Sequence, residues 1–157
     1  MSQKLLVLVG TMTGTAGSVA QTIELALGDA ETEVSVKPMD GLDARVFEDG
    51  ELFLICTSTY GQGDVPDNAK NLYESLAQSR PDLSHVRYGV IALGDRTYAD
   101  TFCNGGRRFD RILSELGARR VGETLLHDAS SGTMPEEVAE AWIGPWFEQA
   151  RVAVAAT

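Results

Sequence analysis

The sequence predicts an α/β fold, a parallel sheet of five strands with helices wound on both faces. Three observations carry that expectation. Leu5-Leu6-Val7-Leu8-Val9, Leu52-Phe53-Leu54-Ile55-Cys56 and Tyr88-Gly89-Val90-Ile91-Ala92-Leu93 are short runs without polar alternation, as strands buried on both faces require. Stretches with apolar residues at helical spacing lie between them, and strands alternating with helices make a parallel sheet. The loops after strands one, three and four are rich in Gly, Thr, Ser, Tyr, Asp and Asn, while the connections at the opposite sheet edge are plainer.

In chain order, the first apolar run is strand one. Val19, Ala20, Ile23 and Leu27 then recur at helical spacing, with Gly28 as the stop. Glu33-Val34-Ser35-Val36 reads as a shorter strand before Pro38, and residues 39–50 leave room for only a short helix or a loop. Strand three is followed by a Gly/Asp/Pro loop and a helix near residues 67–78, with Leu72 and Leu76 on one face. Strand four leads through a long loop to a helix with Phe109, Ile112, Leu113 and Leu116 inward. A last strand region is expected around Arg119 to Leu126. Pro135 sits at a helix start, and Ala139, Trp142, Ile143, Trp146 and Phe147 mark that helix's buried face. With no repeat, low-complexity tract or linker, residues 1–157 read as one domain.

The 157 residues suit one domain with a full core. Hydrophobic content of 43% and charged content of 23% are ordinary for a soluble globular protein. No apolar segment has membrane length, and no secretory signal is read at the N-terminus. Cys56 and Cys103 make no metal or disulfide pattern, so reduced thiols in a cytoplasmic protein are expected. The net charge of −10 and pI near 4.5 argue against nucleic acid and anionic membrane as partners. They favour basic partner proteins met through electrostatic steering; solubility alone is the plainer explanation. A monomer is expected.

Ligands of such folds bind beyond the carboxyl ends of the strands, where strand order reverses. The first loop there reads Thr11-Met12-Thr13-Gly14-Thr15-Ala16 and joins a strand end to a helix start. Unpaired N–H groups and the positive dipole end favour a phosphate at that position, and the threonine hydroxyls add neutral donors. A plain turn with a Thr cap is the alternative. The loop has neither the lysine of a P-loop nor the GxGxxG of dinucleotide folds. The second loop reads Thr57-Ser58-Thr59-Tyr60-Gly61-Gln62-Gly63-Asp64, and the third Gly94-Asp95-Arg96-Thr97-Tyr98-Ala99-Asp100-Thr101-Phe102-Cys103. A phosphate cradle flanked by Tyr60 and Tyr98 suits a flat ring system carrying a phosphate chain.

At this point the residues reach a resemblance. From Lys4 to about Phe147 the chain resembles the flavodoxin family, within it the short MioC-like group. TSTYGQGDVPDNAKNLYESL and ALGDRTYADTFCNGGRRFDRILSELGARRVGE are similar to the flavodoxin-like domains of sulfite reductase and cytochrome P450 reductase. The resemblance implies a flavodoxin-like three-layer sandwich with strand order 2-1-3-4-5, and flavin mononucleotide (FMN) as cofactor. By position, Thr11, Met12, Thr13, Gly14, Thr15 and Ala16 would wrap the phosphate. Thr57 and Ser58 belong to the second loop, whose Thr59, Tyr60, Gly61 and Gly63 would line one side of the ring. Leu93, Gly94, Asp95, Tyr98, Phe102 and Cys103 would line the other, with Tyr98 stacking and Asp128 nearby. Ala16 stands where many flavodoxins have threonine, which removes one hydroxyl from the phosphate loop.

The function implied is electron transfer, one electron at a time, between a reductase and an acceptor enzyme, with no catalytic residue of the chain's own and no metal. No nicotinamide- or FAD-binding segment is read, so a reductase must supply the electrons. Three other readings compete. A receiver-type signalling module needs an acidic cluster after strand one, where this chain has Gly10-Thr11. A quinone reductase using FMN lacks a compelling proton donor, since His85 and His127 are single histidines. A cofactor-free interaction module of the same fold is the third.

Overall fold

The computed structural model describes residues 3–10, 15–28, 32–58, 67–94 and 103–155. Strands β1 (Gln3–Gly10), β2 (Thr32–Pro38), β3 (Leu52–Thr57) and β4 (Arg87–Gly94) alternate with helices α1 (Thr15–Leu27), α2 (Asp67–Ser79) and α3 (Asn104–Glu115). A short 3-10 turn, Ala44–Glu48, occupies the mixed stretch before β3. Two short strands, β5 (Arg119–Arg120) and β6 (Leu125–Asp128), precede the long helix α4 (Pro135–Ala155). All described strand pairs are parallel, and the order is β2-β1-β3-β4-β5, with β6 also on β4.

The apolar runs become buried strands because helices cover both faces. Alternate side chains of one strand point to opposite faces, and the core divides accordingly. Leu6, Leu8, Phe53, Ile55, Tyr88, Val90 and Ala92 pack with Leu72 and Leu76 of α2 and Phe109, Ile112 and Leu113 of α3. Leu5, Val7, Val9, Leu54, Cys56, Ile91 and Leu93 pack on the other face with Val19, Ala20 and Ile23 of α1 and Ala139, Ile143 and Trp146 of α4. Both buried helix stripes fall where helical spacing places them. Pro38 is tolerated at the end of β2, an edge strand where its missing N–H removes no inner ladder bond.

The fifth strand differs from the single region expected at Arg119 to Leu126. Arg119 and Arg120 pair with Arg87 and Tyr88, and Leu125 to Asp128 pair with Ile91 to Gly94. Between the two pieces, residues 121–124 face only Gly89 and Val90 on β4, so the chain must bulge. Val121 N–H still donates to Tyr88 O at 2.8 Å. The Val121 carbonyl accepts the Trp146 indole N–H at 2.9 Å, and Gly122 takes a positive φ of 66°. Gly89 makes room for this arrangement: a Cβ there would lie 2.5 Å from the Trp146 ring.

Candidate functional site

Parallel pairing brings the strand ends together at one edge. Gly10 of β1 lies opposite Thr57 of β3, Thr57 opposite Ala92 of β4, and Gly94 opposite Asp128 of β6. Helices α1 and α3 begin at this same edge, because each follows its strand across the sheet end and runs back. The three loops expected from the sequence are therefore rooted at this edge. Of the residues expected in the site, Thr15, Ala16, Thr57, Ser58, Leu93, Gly94, Cys103 and Asp128 are described. Thr11, Met12, Thr13, Gly14, Thr59, Tyr60, Gly61, Gly63, Asp95, Tyr98 and Phe102 lie outside the described residues.

The described residues fall into two groups. Thr15 is exposed, and Ser58, Gly94 and Asp128 are half-buried at the edge. Ala16, Thr57, Leu93 and Cys103 are buried beneath them. Ala16 packs in the α1 face of the core, and its carbonyl accepts the Cys56 thiol at 3.5 Å. Thr57 turns its hydroxyl onto Ser58 O at 3.1 Å, while Ser58 N–H ties β3 to β1 by donating to Gly10 O at 3.0 Å. Burial alone pushes the Cys56 thiol from its ordinary 9.0 up to about 12, so it stays protonated and unreactive at neutral pH.

Cys103 closes the third loop from below. It precedes α3 with φ 55° and ψ 21°, the left-handed region uncommon for a non-glycine residue. Its thiol donates to Ala92 O at 3.2 Å and reaches His127 O at 3.7 Å. Gly94 lies directly against it: a Cβ at Gly94 would sit 2.5 Å from the Cys103 backbone nitrogen. The two ends of the segment 95–102 are therefore joined at one point. Gly10 is equally confined, since a Cβ there would approach Thr57 Oγ1 to 2.7 Å.

Sequence reasoning treated His127 as an isolated histidine and missed its part. The ring is buried at the end of β6, and Nε2 lies 3.1 Å from both Thr133 O and Thr133 Oγ1. It anchors the connection between Asp128 and α4. The contact spans six residues across a turn, and no pattern in the sequence marks it. His85 Nε2 lies 3.0 Å from Phe47 O, far from this edge. Among the described residues no group of His, Cys, Asp or Glu has the arrangement of a metal site.

The edge fits a phosphate-bearing ligand. Helix α1 opens there with a threonine and no acidic residue in its first turn, so the positive end of its dipole is not countered from within that turn.

The comparisons with known proteins agree with this architecture. The flavodoxin family model matches residues 7–142. The chain is 41% identical over 150 residues to flavodoxin YqcA of Escherichia coli, covering 89% of this chain and 93% of that one. It is 34% identical over 143 residues to the MioC homolog of Haemophilus influenzae, covering 90% and 95%. A solved point mutant of flavodoxin from Pseudomonas aeruginosa superposes with a TM-score of 0.85 at 37% identity, covering 95% and 99%. The chain belongs to the flavodoxin family, a family of FMN-binding electron-transport proteins.

Proposed function

We propose that this chain binds FMN and carries single electrons between a reductase and an acceptor enzyme. The observation that supports it is the in-register meeting of the β1, β3, β4 and β6 ends beside an α1 N-terminus free of acid. Thr11, Met12, Thr13, Gly14, Thr15 and the backbone of Ala16 hold the phosphate. Because the Ala16 methyl is buried, that residue offers an N–H and no hydroxyl. Thr59, Tyr60, Gly61 and Gly63 line one side of the ring. Gly94, Asp95, Phe102 and a stacking Tyr98 line the other, over a floor of Thr57, Leu93 and Cys103, with Ser58 and Asp128 at the rim. FMN, when bound, accepts and releases electrons one at a time. The chain's own part is to orient the ring, exclude water from it and bias its charge. Acidic residues near the rim (Asp64, Asp67, Asp95, Asp100 and Asp128) steer basic partners onto it.

Calorimetry of folded apoprotein with FMN tests the reading. Saturable one-to-one binding is expected, with the yellow flavin released on denaturation, and absence of heat overturns it. Tyr98→Ala is expected to weaken binding by about 1–3 kcal/mol, the scale of stacking on an aromatic ring. Two-electron turnover of a quinone without a partner protein would replace the carrier by a reductase.

A further inference from the structure

The charge of this acidic chain is unevenly placed. Residues 104–120, which hold α3 and β5, carry five arginines and two carboxylates, a net of +3, while the other 140 residues carry −13. Both local carboxylates are engaged. Asp110 Oδ2 accepts Arg120 Nη1 at 2.6 Å, and its Oδ1 accepts the Tyr88 hydroxyl at 2.6 Å. Glu115 pairs with Arg80 of the α2 end at 3.8 Å. Arg108 lies over the Tyr73 ring, 4.9 Å from its centre. Arg107, Arg111 and Arg119 remain exposed, and no side-chain hydrogen bond or ion pair engages them among the described residues.

Arg107 and Arg111 share one side of the molecule, whereas Arg119, the strand neighbour of the α3-facing Arg120, belongs to the opposite sheet face. Arg107 and Arg111 are four residues apart, so they stand one above the other on α3. That face is opposite the stripe of Gly105, Phe109, Ile112 and Leu113, which is buried. Arg119 begins β5, which pairs with the start of β4 at the sheet's flank. The row starts one turn from the cofactor edge and runs down a helix about 18 Å long. On the opposite sheet face, α4 presents Glu137, Glu140 and Glu148 to solvent, with Arg151 held by Glu148 at 2.9 Å.

We infer that the pair Arg107–Arg111 on α3 is a docking surface for an acidic protein, distinct from the basic partners that the carboxylates elsewhere attract. Guanidinium groups without internal partners suit surface carboxylates, which they bind in bidentate fashion. The two carboxylates within residues 104–120 are already taken, and the pair adjoins the edge where the third loop is rooted. A carrier with one basic helix on an otherwise acidic chain distinguishes two partners by charge.

The test uses the isotope-labelled full chain and an oligoglutamate peptide as probe, followed by amide chemical shifts at low salt. Shifts confined to residues 104–120 are expected, weakening with added salt as exposed charge pairs do. Arg107→Glu with Arg111→Glu is expected to cut the affinity at least about tenfold. Arg107→Gln with Arg111→Gln, which keeps good helix formers, gives an intermediate loss. Arg45→Glu, on the distant turn before β3, leaves binding unchanged. Equal affinity in the α3 variants, or shifts spread elsewhere, overturns the inference. So does tighter binding of oligouridylate than of oligoglutamate, or self-association that the same variants abolish. The readout is on α3 itself and stands independently of FMN binding.

Discussion

Strand β4 is held differently at its two ends. At its start, side chains fix the geometry. Arg87 is buried and donates to Ser84 O at 3.0 Å and Val86 O at 3.1 Å. Tyr88 reaches across to Asp110 on α3, which also takes Arg120 of β5. At its finish, the geometry comes from side chains that are missing. Gly94 lets the chain touch Cys103 N, and Gly106 lets α3 press on Ala92, where an added Cβ would come within 2.4 Å. Polar partners can rearrange when one is lost, but backbone in contact with backbone cannot yield. The carboxyl end of the strand is therefore the less forgiving of the two.

The sharpest way to break this contrast is Gly94→Val. The clash falls on backbone, so a loss of about 3 kcal/mol is expected in urea unfolding, with FMN binding lost as well. A loss below about 1 kcal/mol would show that the edge relaxes, and the contrast would fail. Asp110→Ala comes next. It strips one acceptor from Tyr88 and the carboxylate from Arg120, which keeps only the Gly122 carbonyl, for an expected loss of about 2 kcal/mol; Tyr88→Phe should cost nearer 1 kcal/mol. FMN affinity should change little in both, because the network lies at the far end of the strand.

The effect that is smallest at neutral pH concerns Cys56, since it appears only at high pH. Its folded value is raised from 9.0 to about 12, so above pH 9 the unfolded chain loses the proton while the folded chain keeps it. Stability then falls as pH rises, by at most about 1.4 kcal/mol per unit between roughly pH 9 and 12. Burial and the Asp110 carboxylate push Tyr88 upward in the same sense. Comparing the wild type with Cys56→Ala across this range isolates the thiol. Parallel curves for the two would remove Cys56 from the explanation.

Much of the fold was legible in the sequence, because β1, β3 and β4 are covered on both sides and their composition says so. The fifth strand was less legible. Arg119 and Arg120 carry no apolar signal, and the bulge after them depends on Trp146, far along the chain, meeting Gly89 and Val121. The same holds for the site. Its loops announced themselves by residue type, but that Ala16, Thr57 and Cys103 lie beneath the surface was not readable. A strand buried on both faces leaves no alternation from which to tell inward from outward.

The junction of Gly94 with Cys103 also has an evolutionary and practical meaning. Because Gly94 lies against Cys103, the octapeptide between them enters and leaves the sheet edge at one place. Grafting such octapeptides from other flavodoxins onto this scaffold, with Gly94 and Cys103 kept, turns the junction into a socket for adjusting redox behaviour.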